Sequence, residues 1–454
     1  LLTAAAFAGV VADAANRFAI PGIAAAVMRS GEMHQTARGV LNVATGVAVT
    51  PDSVFQIGSI TKVFTGTLVM QLVDAGKIEL DAPVRAYLPG LRIAGAPISD
   101  AITVRALLTH TSGIVGDFFV DTGANDDATE RYVERCNELA YVTEPGIYSY
   151  CNSGFGILGR LIEVVGGAPW VAQLRARILD PLHMPALVDP EETMFYRAAA
   201  GHILTASGEI RLTPTPFLPR STESIGARLT MSPATLLAFA HLHLRDGVTA
   251  DGTRLLSEQS ARAMRELQVR LPFDFLNIRG SGLAWALRDP EAGVVGHNGA
   301  TIGQAAFLLL FPEVELALAV LTNISSSATS TAFEEIVRAV VASVDGARLR
   351  VRPPADSSIV VDTTALVGTY QTAMNRIVVA ARDRLLRVTV VRRSEYGLAP
   401  LDDERYVLEA LDEVCFEAVD ARDGARSVAG FTAFDNGVPR FLFWGGRLAE
   451  RIDP

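Results

Sequence analysis

The sequence is poor in the features that staple, anchor or electrostatically steer a chain. Three cysteines, Cys136, Cys151 and Cys415, are spread over 454 residues, too few and odd in number for a disulfide framework. No CxxC pair or clustered Cys/His spacing is present, so no structural zinc is expected, and nothing in the chain calls for a metal or an organic cofactor. No uncharged run reaches the roughly 18 residues of a membrane span. Basic residues are outnumbered, 40 Lys and Arg against 50 Asp and Glu, for a net charge of −10. That balance excludes nucleic acid and anionic membrane as expected main partners. Neither an internal repeat nor a low-complexity tract appears. The opening segment "LLTAAAFAGVVADAANRF" lacks the basic start of a signal peptide and reads as an amphipathic helix packed on a domain. A cytoplasmic location is the expectation, with a removed leader left open.

What is present is a large core. Apolar residues make up 49% and charged residues 20%, the composition of a globular protein, and the length suits two or three domains. Residues 20 to 50 alternate short apolar runs with turn-forming pieces, as antiparallel strands do. From Ser59 the apolar positions take a helical period, which Gly76 ends. Residues 80 to 270 mix helices ("TVRALLTH", "GFGILGRLIEVVG", "SPATLLAFAHLHLRDG") with loops rich in Gly and Pro. Strand patterns return near residue 283 in "GLAWALRD", "AAFLLLF" and "LALAVLTNI", followed by the helix "STAFEEIVRAVVASV". Strands that flank a helical insert predict an α/β domain with a discontinuous antiparallel sheet over residues 1–350. The Pro pair in "RLRVRPPADSSIV" marks a linker at 351–359. Beyond it, 360–454 carries "RIVVAA", "LLRVTVV", "ERYVLEA", "VCFEAV", "SVAGFTAF" and "PRFLFWGG", the pattern of a small all-β barrel or sandwich.

The chemistry starts in "FQIGSITKVF". Ser59 and Lys62 are three apart, so on a helix they share a face. A serine hydroxyl needs a base within reach, and a lysine becomes one when desolvation disfavours its charge. Alone, the pair reads sooner as a helix-start serine with a lysine snorkelling from the surface. Two distant segments change the weighing. In "EPGIYSYCNSGFG", Tyr150 and Asn152 are two apart and can face one cleft, as a proton carrier and a carboxamide that orients its neighbours. In "VVGHNGATIGQAAF", His297 and Gly299 end a strand, with Gly299 letting a substrate backbone approach and His297 hanging over the pocket.

Ser59-Ile60-Thr61-Lys62, Tyr150-Cys151-Asn152 and His297-Asn298-Gly299 resemble the ordered SxxK, YxN and K/HxG motifs of penicillin-binding proteins and class C β-lactamases. The words "GKIELDAPVRAYLP", "ITVRALLTHTSGI" and "GARLTMSPATLLAFA" resemble the same serine hydrolases, from about residue 15 to 345. The resemblance implies a β-lactamase/transpeptidase-like domain, an acyl-Ser59 intermediate, and proton movement by Lys62 and Tyr150. It also implies an oxyanion hole made by the amide of Ser59 and one near Gln304 or Ala305. Class C β-lactamases carry lysine in the third motif. His297 is similar instead to the DD-peptidase, esterase, D-aminopeptidase and peptide-cyclase branches, which implies poor turnover of penicillins. With a lipocalin-like barrel ending in "GGR", the chain most resembles penicillin-binding-protein-type thioesterases, which release and macrocyclise nonribosomal peptides. That branch implies a peptidyl thioester donor, on a carrier protein or a small thiol, commonly ending in a D-residue. The alternative is a D-stereospecific peptidase, amidase or esterase with water as acceptor.

Other candidates receive plainer readings. The glycines of "GFGILG" read as helix packing, Cys151 as a small buried filler, and His110 as a structural histidine bonding loop backbone. Trp285 and Trp444 read as core, and Asp81, Asp100 and Asp117 as caps or turn formers. Arg447 stands as a substrate-binding candidate, a planar fork for a substrate carboxylate, weighed against a domain-interface salt bridge.

Overall fold

The apolar runs at the two ends of the first domain find each other in space. In the computed structural model, which describes residues 1–93, 101–205, 207–350, 355, 359–382, 385–393, 403–421 and 426–453, eight strands form one antiparallel sheet. They are β1 (Gly22–Arg29), β2 (Glu32–Gly39), β3 (Val269–Phe275), β4 (Ile278–Ser281), β5 (Ala286–Asp289), β6 (Val294–Thr301), β7 (Gln304–Phe311) and β8 (Leu316–Thr322). Their order is β2-β1-β8-β7-β6-β5-β4-β3, and Ile23 pairs with Thr322 to join the two ends of the first domain. The central strands β1, β7 and β8 are buried along nearly their whole length and are apolar except at their ends, because both faces are covered. On one face lie α1 (Ala4–Arg17) and the helix closing the domain, Ser327–Ala342, through Phe7, Val11, Phe333 and Ile336. The amphipathic N-terminal helix expected from the sequence is thus packed as read.

On the other face sits the helical insert. Its central helix α2 (Thr61–Asp74) is buried nearly all round, Lys62 included. It stacks Phe64 on Phe239 of the Pro233–Leu244 helix, with ring centroids 3.7 Å apart. Helix α3 (Asn152–Gly166) crosses beside it, and glycines make the approach close. A Cβ at Gly156 would overlap the Tyr132 ring, and one at Gly159 would overlap Ser224, so the "GFGILG" stretch serves packing.

The hairpin β3–β4 escaped the sequence reading, which began the strands near residue 283. Its apolar residues alternate from Val269 to Phe275, but Pro272 inside the run argues against a strand, and its turn places Leu276 and Asn277 at φ of 50° and 59°, where leucine is a poor turn signal.

The second domain is a closed barrel of eight described strands: β9 (Gly368–Gln371), β10 (Asn375–Arg382), β11 (Leu385–Arg392), β12 (Glu404–Ala410), β13 (Cys415–Asp420), β14 (Arg426–Asp435), β15 (Val438–Trp444) and β16 (Arg447–Arg451). Six of the eight were legible as strands. The short β9 and β16 were not, and they close the barrel by pairing Tyr370 with Arg451. Leu442 and Trp444 point into the barrel core, while Phe441 and Phe443, on the other side of the same strand, pack with Leu448 against Tyr148 and the β3–β4 hairpin. The hairpin that the sequence hid is therefore the seat on which the barrel docks. Phe273 fits there only because residue 430 is glycine, since a Cβ would overlap its ring. Most of the expected linker, 351–359, lies outside the described residues. Among the described residues no single helix is long and apolar enough to cross a membrane.

Candidate active site

The turn before α2 is assembled from contacts that admit no side chain. Ser59 lies in a one-turn 3₁₀ segment, Gly58–Ile60. Gly58 has φ 51°, and a Cβ there would fall 2.6 Å from the Ala300 nitrogen on β6. A Cβ on Gly299 would overlap the Ile57 carbonyl oxygen, and one on Gly226 the Gly58 carbonyl oxygen. Gly299 was expected to make room for a substrate backbone. It lines the cavity, but its missing side chain is what lets β6 touch the serine turn.

Lys62, one turn on, is 0% exposed, and its Nζ lies 2.9 Å from Ser59 Oγ. Nζ also donates to the Ile225 carbonyl at 2.9 Å and faces the rings of Tyr150 and Phe155 at 5.2 and 5.7 Å. Burial, followed by the charge of Arg447, holds the ammonium well below the usual lysine pKa, against a weaker pull from Asp117. A neutral amine that donates to Ile225 is left with its lone pair to offer the serine.

Tyr150 is hydrogen-bonded to Ser59, and burial raises its pKa well above the ordinary phenol value. It therefore stays protonated at neutral pH. Its ring lies 4.3 Å from that of His110 and 6.4 Å from that of His297. His110, at φ 59°, accepts a hydrogen bond from the Cys151 amide on Nδ1 at 3.0 Å, the structural role expected of it. Cys151, buried as expected, caps α3 by accepting from the Gly154 amide. His297 lies within β6 rather than at its end, and its Nδ1 is 2.6 Å from the Asn298 carbonyl. Burial, with Lys62 adding to it, pushes its pKa down to about 3, so it is a neutral imidazole.

Asn152 opens α3, and its Nδ2 donates to Asp117 Oδ1 at 2.7 Å. Asp117 is the residue the sequence reading passed over as a cap. It is 6% exposed, and the Arg447 guanidinium grips it with Nε to Oδ2 at 2.6 Å and Nη2 to Oδ1 at 2.9 Å. Arg447 does face the first domain, yet the carboxylate it holds belongs to the protein, which corrects its assignment as a fork for substrate. Its guanidinium also lies 4.9 Å from the centre of the Tyr150 ring and bonds the Gly445 carbonyl at 2.7 Å. Two backbone links accompany it: the Tyr150 amide donates to the Gly446 carbonyl at 2.9 Å, and the Leu448 amide to Ser149 Oγ at 3.1 Å. A single acid amid apolar residues in "GIVGDFFV" was the signal available for Asp117; its partner stands 330 residues away.

Two further expectations are corrected. Gln304 is buried, and its side chain is spent accepting from the Gln56 amide and donating to the Ala199 carbonyl. Ala305 lines the cavity, but it pairs opposite Ala300 next to the two-residue turn that joins β6 to β7. In that register the bonded pairs are Thr301–Gln304 and Gly299–Ala306, so the amide of Ala305 turns to β8 and that of Ala300 turns outward, to the Gly58–Ser59 turn. Of the other acids read as caps, Asp81 pairs with Arg105 at 2.7 Å, and Asp100 lies outside the described residues.

Ser59, Tyr150, Asn152, His297 and Arg447 all border one cavity of about 540 Å3, with apolar walls from Leu218, Trp285 and Phe307. Trp285 and Trp444, both read as core, are buried there and also reach this wall.

A sequence model described as Beta-lactamase matches residues 7–343. The chain is 41% identical over 365 residues to Penicillin-binding protein 4 of Amycolatopsis lactamdurans, covering 78% of this chain and 93% of that protein. It belongs to the β-lactamase family, among its serine acyl-transferases and hydrolases. Among solved structures, SurE superposes with a TM-score of 0.75 at 28% identity over 99% of both chains, and SurE with D-Leu with a TM-score of 0.73 at 25% identity over 99% of both. The barrel is therefore part of the shared architecture. A D-amino acid amidase from Ochrobactrum anthropi SV3, complexed with L-phenylalanine amide, shares the fold of the first domain. It has a TM-score of 0.62 at 23% identity, covering 74% of this chain and 98% of that one.

Proposed function

We propose that the protein transfers a peptidyl group from a thioester to Ser59 and then to the amine at the other end of the same peptide, releasing a macrocycle. The observation that carries the acyl-transfer step is the buried Lys62 amine 2.9 Å from the Ser59 hydroxyl. The lysine takes the serine proton as Oγ attacks the thioester carbonyl. The amides of Ser59 and Ala300, which the Gly58–Ala300 approach brings together, receive the developing oxyanion. Tyr150, protonated and bonded to the serine, is placed to pass a proton to the leaving group and to take one from the incoming amine. Asn152 and neutral His297 border the acyl group, the first oriented by Asp117. The likeness to SurE over its whole length, in a structure determined with D-Leu, supports a donor ending in a D-residue. Neutral His297 in the third motif supports a branch other than the β-lactamases.

The test is a peptidyl thioester with a D-residue at its C-terminus, its products followed by mass. A cyclic product supports the cyclase. Linear acid would make water the acceptor and the protein a D-specific hydrolase. Failure of Ser59 to acylate with this donor, and with ester and amide donors, overturns both.

A further inference from the structure

The Ser59 cavity does not end within the first domain. Its far wall is the open end of the barrel, and the side chains there depart from the rest of the barrel interior. Strand alternation fixes which positions point inward. Along β11 the inward row is Leu386, Val388 and Val390, all buried, and the next inward position is Arg392. On β12 the row runs Glu404, Tyr406, Leu408; on β10 Asn375 precedes Ile377 and Val379; on β14 Ser427 precedes Ala429 and Phe431. Asn375 pairs with Arg392 and Glu404 stands opposite Val390, the next inward position, while Ser427, in register with Ala418 and Leu408, meets them at the wall of the cavity. One apolar plug thus finishes in a polar rung, of which Asn375, Arg392, Glu404, Tyr406 and Ser427 line the Ser59 cavity, while Asp420, the next inward position on β13, is buried.

The rung is ordered by its own contacts. Arg392 Nη2 donates to Glu404 Oε1 at 3.0 Å and Tyr406 Oη to Glu404 Oε2 at 2.8 Å, while the Tyr406 ring stands edge-on to Trp444 at 4.9 Å. A barrel needing only a core would continue Val and Leu to its end, because inward polar groups cost free energy unless they meet polar partners.

We propose that this rung is a second recognition site, which takes the stretch of peptide beyond the residue esterified to Ser59. The proposal rests on the acyl-transfer reading above. Glu404 is charge-matched by Arg392, and Arg426, which also reaches the cavity, is held by Glu409 and Glu417, so the wall offers hydrogen bonds rather than a strong field. The Asn375 amide and the Ser427 hydroxyl each donate and accept. That chemistry suits the neutral, alternating N–H and C=O groups of a peptide backbone, and not a phosphate or an acyl tail. The cavity, at about 540 Å3, is of a size that holds drug-sized ligands of roughly 300–1,000 Å3 sites and exceeds the needs of one aminoacyl group.

The experiment compares two thioesters with the same C-terminal D-residue and the same small thiol, one an N-acetyl-aminoacyl donor and one a peptidyl donor of several residues. In the full chain, kcat/KM is expected to favour the long donor by at least about tenfold. Ser427→Phe, which fills the rung, is expected to collapse that long-to-short ratio toward one. Asn375→Leu, on the half-buried rim, makes the same test should the phenylalanine disturb the barrel. Equal use of both donors by the unaltered protein, or a ratio that survives both substitutions, overturns the rung proposal and leaves acyl transfer standing. Failure of Ser59 to acylate with either donor takes down the acyl-transfer reading and this proposal with it.

Discussion

Arg447→Met tests whether the barrel is part of the active site. The substitution removes two charge-assisted bonds to Asp117, at 2.6 and 2.9 Å, and keeps an unbranched apolar stem. Asp117 is then left with the Asn152 amide at 2.7 Å as a remaining donor. Removing one partner of a fully buried pair costs about 3–5 kcal/mol. The Asp117 side chain is 7% exposed but that of Arg447 is 26% exposed, so water can follow the truncation in, and the expected loss is about 2–3 kcal/mol. Asp117→Asn leaves the charge on the more accessible partner and is expected to cost about 1–2 kcal/mol. The double variant strands no charge, so it is expected to fall short of the summed losses by roughly 2 kcal/mol. Urea unfolding of the four proteins closes the cycle, and the rate of Ser59 acylation measured alongside reports on Asn152 and Tyr150. Single losses that add to within about 0.5 kcal/mol would refute the coupling.

Four other outcomes follow from the same geometry. Because His297 is pushed down to about 3 and Lys62 is held well below its ordinary value, acylation should rise with pH through the lysine, below its ordinary titration range, with no second inflection from the histidine at its ordinary pKa. The folded state keeps Lys62 unprotonated where the unfolded chain protonates it, so stability should rise with pH between the folded and unfolded lysine pKa values. Lys62→Met should remove that slope and raise stability at neutral pH, as a set of unfolding curves would show. Gly299→Ala drives a methyl into the Ile57 carbonyl and displaces the serine turn, so acylation should fall about 100-fold while the protein remains folded by circular dichroism. Phe443→Ala empties a fully buried site between barrel and sheet, for a loss of about 3–5 kcal/mol, and limited proteolysis should then separate the two domains.

The parts of this structure legible in the sequence are those whose signal is local. The runs of β7 and β8, the helical period after Ser59 and six barrel strands each carry their own pattern, and three motifs in order pointed to Ser59, Tyr150, Asn152 and His297, which border one cavity, and to Lys62 buried behind Ser59. What stayed hidden depends on partners far along the chain. Asp117 looks like a turn residue until Arg447 closes on it, and Arg447 looks free to take a substrate until Asp117 is seen. The β3–β4 hairpin keeps its alternation, but Pro272 within the run speaks against a strand, and the barrel residues that Phe273 and Phe275 pack against lie far along the chain. The amide of Ala300 was passed over for those of Gln304 and Ala305 because strand register, invisible in a single sequence, decides which amide turns outward.

The central claim is that Ser59 carries the acyl group. Intact-protein mass spectrometry after brief exposure to a D-aminoacyl thioester tests it most directly, with the adduct mapped by peptide sequencing. The account predicts one acyl mass gained on Ser59, lost in Ser59→Ala and strongly slowed in Lys62→Met. An adduct on another residue, or unchanged labelling in Ser59→Ala, would contradict it.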